Sequence, residues 1–341
     1  MSVHPSPTPQ HEAPEAISTE ASYTQLIAAL HPPQPSVLEI DILPSPSPLQ
    51  ILSDPPSLAL PKSLLVQLYL LARRKFFSKP LQPIHIGSSD HNTRLQATTI
   101  LLLFDPNHIT AANFRKRHIQ QYSANHPDPH EPHVTNPATP QTLLSQALSN
   151  ELWFLTSLLT SPLYRHAKSS TLWAQRLWLF RHWPDILIKT NDIATDKPQI
   201  PKSIWKRELH IVMKAGERHP RNYYAWNYAR QLFRIVVRAF VTRVDDYEDL
   251  VMDTSGAVHK WCLMHPRDIS GWAFLAFWME NVQEQVRSRK REDLRSSEGM
   301  LEDEVGRVAR GTRAWVEKYK WKGQSVEWFL AALQELGFEE H

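Results

Sequence analysis

Apolar residues recur along this chain at intervals of three and four, the signature of helices with one buried face. They predict helices over Thr93–Phe104, Ile109–Gln121, Thr142–Leu159, Ser170–His182, Ser203–Glu217, Tyr223–Thr242, Glu248–Met264 and Ser270–Arg287, with a last pair over Glu302–Tyr319 and Ser325–Leu336. Period-two alternation closed by Asn-Gly or Asp-Gly turns is missing, and glycine is scarce at 9 of 341 residues, which argues against hairpins. Ahead of the series, SLLVQLYLLARRKFF from Ser63 is apolar almost all round, as in a helix buried on every side. The pattern predicts an all-α fold of paired helices.

Proline marks where this pattern stops. Of 27 prolines, 12 fall in residues 1–60, in stretches such as PSPTP and PSPSP, where neither helix nor ladder hydrogen bonds are sustained. Residues 1–60 therefore read as a mostly disordered tail, with a short docked segment around Val37–Ile42, and 61–341 as the helical domain. Loop inserts interrupt that domain near 123–140, 184–202 and 287–301. The first carries His126, His130 and His133, but a proline-broken loop does not fix ligand geometry, so they read as solvated and no metal site is predicted. The third opens with RSRKR and turns acidic, the pattern of a solvated helix end or exposed loop, with a nuclear-localisation signal or an acidic-partner site the less favoured reading.

Composition narrows the classes. Lys plus Arg (38) against Asp plus Glu (35) leaves a net charge of +3, too mild for a sequence-independent nucleic-acid binder. The single cysteine, Cys262, excludes an internal disulfide or a Cys-based zinc cluster within this chain and fits a reducing compartment. No apolar run reaches the ~18 residues that span a bilayer, and the N-terminus lacks a signal pattern. A cytoplasmic location is expected, with the nucleus as the alternative. No Ser-His-Asp set, glycine-rich phosphate loop or H-E-x-x-H string is present, which leaves little support for an enzyme acting alone.

One phrase recurs. HPRNYYAWNYAR, from His219, places Trp226 six residues after Pro220; HPRDISGWAFLAFW, from His265, places Trp272 six after Pro266; AKSSTLWAQRLWLF places Trp173 six after Ala167. Upstream, DPNHITAANFRKR keeps Pro106 and Arg115 with Ala112 in the tryptophan place, and GQSVEWFLAAL with Trp328 reads as a last, eroded unit. In each unit a first helix ends, proline turns the chain, and a second helix begins one turn before the tryptophan. Trp173 with Arg176, three apart, and Trp226 with Arg230, four apart, each share a helical face, where a guanidinium stacks on indole and bonds a loop carbonyl. Such units bury their apolar faces by stacking, as an α-α superhelix or solenoid.

The P-K/R-x-Y-x-x-W-x-x-R pattern resembles the protein prenyltransferase α-subunit repeat of farnesyl and geranylgeranyl transferases, closest to the divergent α-subunit repeat-containing branch, over residues 93–285. The resemblance implies a crescent of helical hairpins around a separate β-subunit that carries the zinc, the isoprenoid pocket and most of the peptide site. The Rab-type geranylgeranyl transferase β-subunit is one candidate. This chain would bind no cofactor itself and be inactive alone. In the complex it would support transfer of a farnesyl or, slightly favoured, a geranylgeranyl group from its diphosphate to a protein cysteine.

By position, Lys168 matches the family's diphosphate-facing lysine, Tyr223 and Tyr224 match a tyrosine and a histidine that approach the diphosphate, and Arg221 and Asn222 fall on the diphosphate side. Of the two tyrosines, one is expected to pack and one to line a cleft. Ser170 stands where tyrosine is usual, and Ala229 and Leu275 occupy the usual arginine places. The alternative is a non-catalytic helical-repeat scaffold that binds a protein or peptide.

Overall fold

The computed structural model describes residues 18–31, 36–44, 50–78, 88–124, 140–188, 201–240, 244–291 and 298–335. Most are helical. Helices α1 (Thr19–Leu30), α2 (Lys62–Phe77), α3 (Ser89–Phe104), α4 (Ile109–Ala124), α5 (Pro140–Leu159), α6 (Tyr164–Ala167) and α7 (Ser170–His182) form the first half. Helices α8 (Pro184–Ile188), α9 (Pro201–Arg218), α10 (Tyr223–Phe240), α11 (Val244–Met264), α12 (Ile269–Arg291), α13 (Glu298–Tyr319) and α14 (Gln324–Glu335) form the second. The architecture is an all-α helical repeat. One layer runs through α5, α9, α11 and α13, and a second through α4, α7, α10, α12 and α14, each helix touching the next in its layer. The histidines of the first insert, at 126, 130 and 133, lie outside the described residues, as do 189–200 and 292–297.

The second-layer helices begin where the repeated phrase predicts a helix start, and their capping side chains explain why. Ser169 Oγ accepts from Leu172 N at 3.1 Å, Asn222 Oδ1 from Ala225 N at 3.2 Å, and Asp268 Oδ1 from Ser270 N at 2.9 Å. Each satisfies a backbone donor that a helix N-terminus leaves unpaired. The same side chains reach the adjacent turn. Ser169 Oγ lies 2.8 Å from the Pro106 carbonyl, Asn222 Nδ2 donates to the Ala167 carbonyl at 2.8 Å, and Asp268 Oδ2 accepts from Arg221 N at 2.8 Å. Ser325 Oγ continues the series to the Arg267 carbonyl at 3.4 Å. Capping and repeat stacking are therefore carried by the same side chains.

Behind the turns Trp173, Trp226 and Trp272 fill the core, whereas Trp328 of the last unit is exposed. Trp226 is 0% exposed and packs on Trp261 and Phe274, each with ring centroids 5.0 Å away. Gly271 precedes the buried Trp272 because a Cβ there would overlap the Trp261 ring. The arginines behave differently from the expected stack on indole. Arg176 forms a buried two-bond pair with Glu208 at 2.7 and 2.8 Å and also bonds the Leu152 carbonyl of helix α5. Arg230 lies half-buried over the Phe277 ring at 5.6 Å. Arg115 on α4 pairs with Glu151 on α5 at 2.6 Å, as Arg176 on α7 does with Glu208 on α9, so each pair ties one unit to the next.

Two sequence expectations are corrected. Residues 1–60 are not mostly tail: Thr19–Leu30 is helical, and Glu39–Leu43 (β1), Leu52–Asp54 (β2) and Ser57–Pro61 (β3) form a sheet in the order β1-β3-β2, β1 parallel and β2 antiparallel to β3. Leu26, Ile40, Leu58 and Leu60 enter the common core. Among the described residues, Pro55 and Pro56 stand between β2 and β3 and Pro61 closes β3, where the missing N–H costs little. Helix α2 is not buried all round either, since Val66, Leu70 and Phe77 are exposed.

Two consequences are testable by denaturation. Removing residues 1–60 strips this layer and should lower the melting midpoint by more than roughly 10 °C or yield aggregates; a shift within a degree or two would contradict the packing. Asn222→Ala removes a cap and an inter-turn bond together and should cost about 2–3 kcal/mol in chemical denaturation, with a cost below about 0.5 kcal/mol counting against it.

Candidate functional site

The turn edge of the repeat array carries the residues singled out by the sequence. Lys168 caps the short α6 and projects toward the next turn, its Nζ donating to the Pro220 carbonyl at 2.8 Å and lying 3.4 Å from the Tyr164 hydroxyl. The ammonium also sits 4.6 Å from the Tyr164 ring centroid, a cation–π arrangement that holds the charge without neutralising it. Since Asn222 reaches back to Ala167 while Lys168 reaches forward to Pro220, the two turns clasp each other reciprocally.

Arg221 is the next residue on this edge. Its φ of 60° is left-handed, costing about 1–2 kcal/mol for a side-chain-bearing residue, and the Asp268 bond to its N–H holds it there. Tyr223 and Tyr224 open α10 and are 57% and 49% exposed. Neither packs inward, so the expectation that one would be buried is corrected: at the first two positions of the helix both rings precede the buried Ala225–Trp226 face. Asn222 is also corrected as a ligand-facing residue. It is 0% exposed and its amide is committed to the cap and to Ala167, so it positions the turn from beneath.

The arrangement thus presents a half-buried ammonium, an exposed guanidinium and two phenols beside a helix N-terminus, a setting that favours an anion. It does not present acid–base or thiol chemistry. Burial, outweighing its bond to the Leu103 carbonyl, lowers the His166 pKa to about 4, so it is neutral in its place. His219 is lowered mainly by burial, against its bond to the Ser161 carbonyl and with Lys168 and Arg218 adding to the shift. Cys262 is fully buried, with its pKa raised by that burial. Among the described residues no group of three His, Cys, Asp or Glu side chains is placed to hold a metal, and no helix is long and apolar enough to cross a membrane.

Trp173, Arg176, Trp226 and Trp272 are buried beneath this edge. Sequence reasoning missed Tyr164, which supports Lys168, and Asp268, which holds Arg221. Asp268 had a signal, since it stands in the second phrase, HPRD, at the cap position that Asn222 holds in the first. Tyr164 had none, because its α6 turn falls outside the helical periodicity.

Comparison with known proteins finds two similarities, to different families. Residues 177–299 match the ECM9 middle domain family, a stretch that includes Arg221, Tyr223 and Tyr224 but not Lys168. The protein prenyltransferase alpha subunit repeat-containing proteins 1-B and 1-A of Xenopus laevis are 23% and 22% identical to this chain over 193 residues, 55% of its length and 37% of theirs. The matched stretch is little more than a third of those relatives, and the similarity is distant.

Proposed function

We propose that this chain is the α-subunit-like component of a heterodimeric protein prenyltransferase, with its turn edge directed at the reaction centre of a β-subunit. The observation that carries the proposal is Lys168, a half-buried ammonium that no carboxylate neutralises among the described residues, beside the exposed Arg221 and the two α10 tyrosines. In prenyl transfer the acceptor cysteine thiolate forms a C–S bond as the isoprenoid C–O bond breaks, and the electron pair leaves on the diphosphate. Donors aimed at that leaving group stabilise the transition state more than the ground state. Lys168 and Arg221 would serve there. Zinc, the thiolate and the isoprenoid pocket belong to the β-subunit in this reading, with geranylgeranyl slightly favoured over farnesyl and no activity expected of this chain alone.

A second reading, a helical scaffold without a catalytic contribution, is favoured by two features. Lys168 already has an intramolecular acceptor in Pro220, and Tyr224 stands where a histidine is usual in the family it resembles.

Single-turnover transfer of labelled isoprenoid by the complex co-expressed with a prenyltransferase β-subunit separates the two readings. Lys168→Ala should leave the heterodimer intact on gel filtration and slow the chemical step by about 10- to 1,000-fold, Tyr223→Phe by less, with peptide affinity little changed. Rates equal to the parent in both variants, or no heterodimer with any β-subunit, would leave the scaffold reading.

A further inference from the structure

A cavity of about 280 Å³ lies in the seam between α5 and α9, apart from the Lys168 turn edge. Leu152 and Ile211 supply apolar surface, the partly exposed Trp153 forms a wall, and Val37 of the N-terminal segment also lines it. Arg176 lies against it with its guanidinium directed to Glu208, Thr156 and the Leu152 carbonyl. Arg207, His210 and Lys214 lie along α9 at spacings of three and four, on one helical face. No carboxylate lines the cavity among the described residues. Two acids outside the lining pair with this margin, Glu208 with Arg207 at 3.6 Å and Glu39 with Lys214 at 3.7 Å.

Size and charge together select an occupant. The cavity falls just below the span of about 300–1,000 Å³ typical of small-molecule sites, and suits one large side chain removed from water, the commonest form of an interface anchor. The cationic margin calls for carboxylates beside that anchor. The chain itself shows that this face accepts such a segment. Ser36–Glu39 crosses it, Leu38 N donating to Ser157 Oγ on α5 at 2.9 Å, while the Glu39 carboxylate meets Arg218 on α9 at 2.6 Å. The Arg218 hydrogen bond holds the Glu39 pKa below its ordinary value. We propose that the α5–α9 seam docks an acidic segment of a partner protein, one large aromatic or aliphatic residue entering between Trp153 and Ile211 and flanking carboxylates meeting Arg207, His210 and Lys214. This site is independent of the prenyltransferase reading, since none of the Lys168-edge residues lines it.

The test titrates the full chain into a fluorescein-labelled peptide of glutamates and glycines with one central phenylalanine, read by fluorescence anisotropy. Matched peptides carry a central alanine or lysines in place of the glutamates. Saturable binding is expected for the phenylalanine peptide, weakened about tenfold by the central alanine and by added salt, and absent for the lysine peptide. Two variants at the cavity margin, checked for an unchanged melting midpoint, should each weaken it about tenfold or more: Arg207→Glu with Lys214→Glu, which reverses the charge, and Ser149→Trp, which fills the seam. No saturable binding, equal affinity for phenylalanine and alanine peptides, or indifference to both variants would overturn the proposal. Binding of phosphatidylserine vesicles in place of the peptide, lost in the same variants, would assign the seam to a membrane surface and overturn it equally.

Discussion

The fold depends on one economy: the side chain that starts each second-layer helix from α7 to α12 also fastens that helix to a neighbouring turn. A helical hairpin cannot bury its apolar face alone, so its stability lies in the stack. Ser169, Asn222 and Asp268 each satisfy a helix-terminal donor and a group of the adjacent turn at once. Substituting one of them unpairs two elements together. The left-handed Arg221 belongs to the same series, since its backbone N–H is the donor that Asp268 receives.

Behind this edge the array changes its means of cohesion along its length. In the first units, buried arginine–glutamate pairs join one hairpin to the next: burial opposes both charges, and the pairing overrides it, so Arg176 is held above and Glu208 below its ordinary pKa. Tyr228 donates to the same carboxylate at 2.7 Å. Further along, Ala229 and Leu275 stand where the arginines would be, and an aromatic cluster takes over. Trp205 and Trp278 stack at 5.8 Å, with Phe233 4.4 Å from Trp278. A buried pair is strongly destabilised by loss of one partner, whereas an apolar cluster tolerates gradual change. This accounts for repeats that diverge from a common phrase without losing their stacking.

The repeat was legible in the sequence because proline, a capping residue and a tryptophan six residues on are local signals. The ion pairs were not: Arg176 could be placed on the same face as Trp173, but Glu208 lies 32 residues away, and no periodicity joins them. The N-terminal layer was not legible because the 12 prolines of residues 1–60 read as breaks in any element. Its described prolines 55, 56 and 61 sit between strands or at a strand end, while α1, β1 and β3, which carry Leu26, Ile40 and Leu58, are each too short to give a sustained apolar period. At the candidate site, Lys168 and the tyrosine pair are singled out by the resemblance to the prenyltransferase α-subunit repeat. The sequence could not show that Asn222 is buried, because a capping asparagine and a ligand-facing one have the same local sequence.

The middle turn differs from its neighbours in one further respect that bears on Lys168. Trp173 Nε1 donates to the Ala167 carbonyl at 2.8 Å and Trp272 Nε1 to the Pro266 carbonyl at 3.2 Å, in each case six residues upstream. The corresponding carbonyl of the middle turn, Pro220, receives Lys168 instead, and the buried Trp226 Nε1 has no acceptor among the described residues. An unpaired buried N–H costs about 1–3 kcal/mol, so the indole-to-carbonyl bond of the flanking turns is given up in this one. The compromise falls where the lysine, the left-handed arginine and the exposed tyrosines gather. Local departures from an otherwise consistent pattern tend to concentrate where a fold serves something besides its own stability, and this one falls at the edge between the first and second tryptophan units, where the proposed function places the reaction-facing residues.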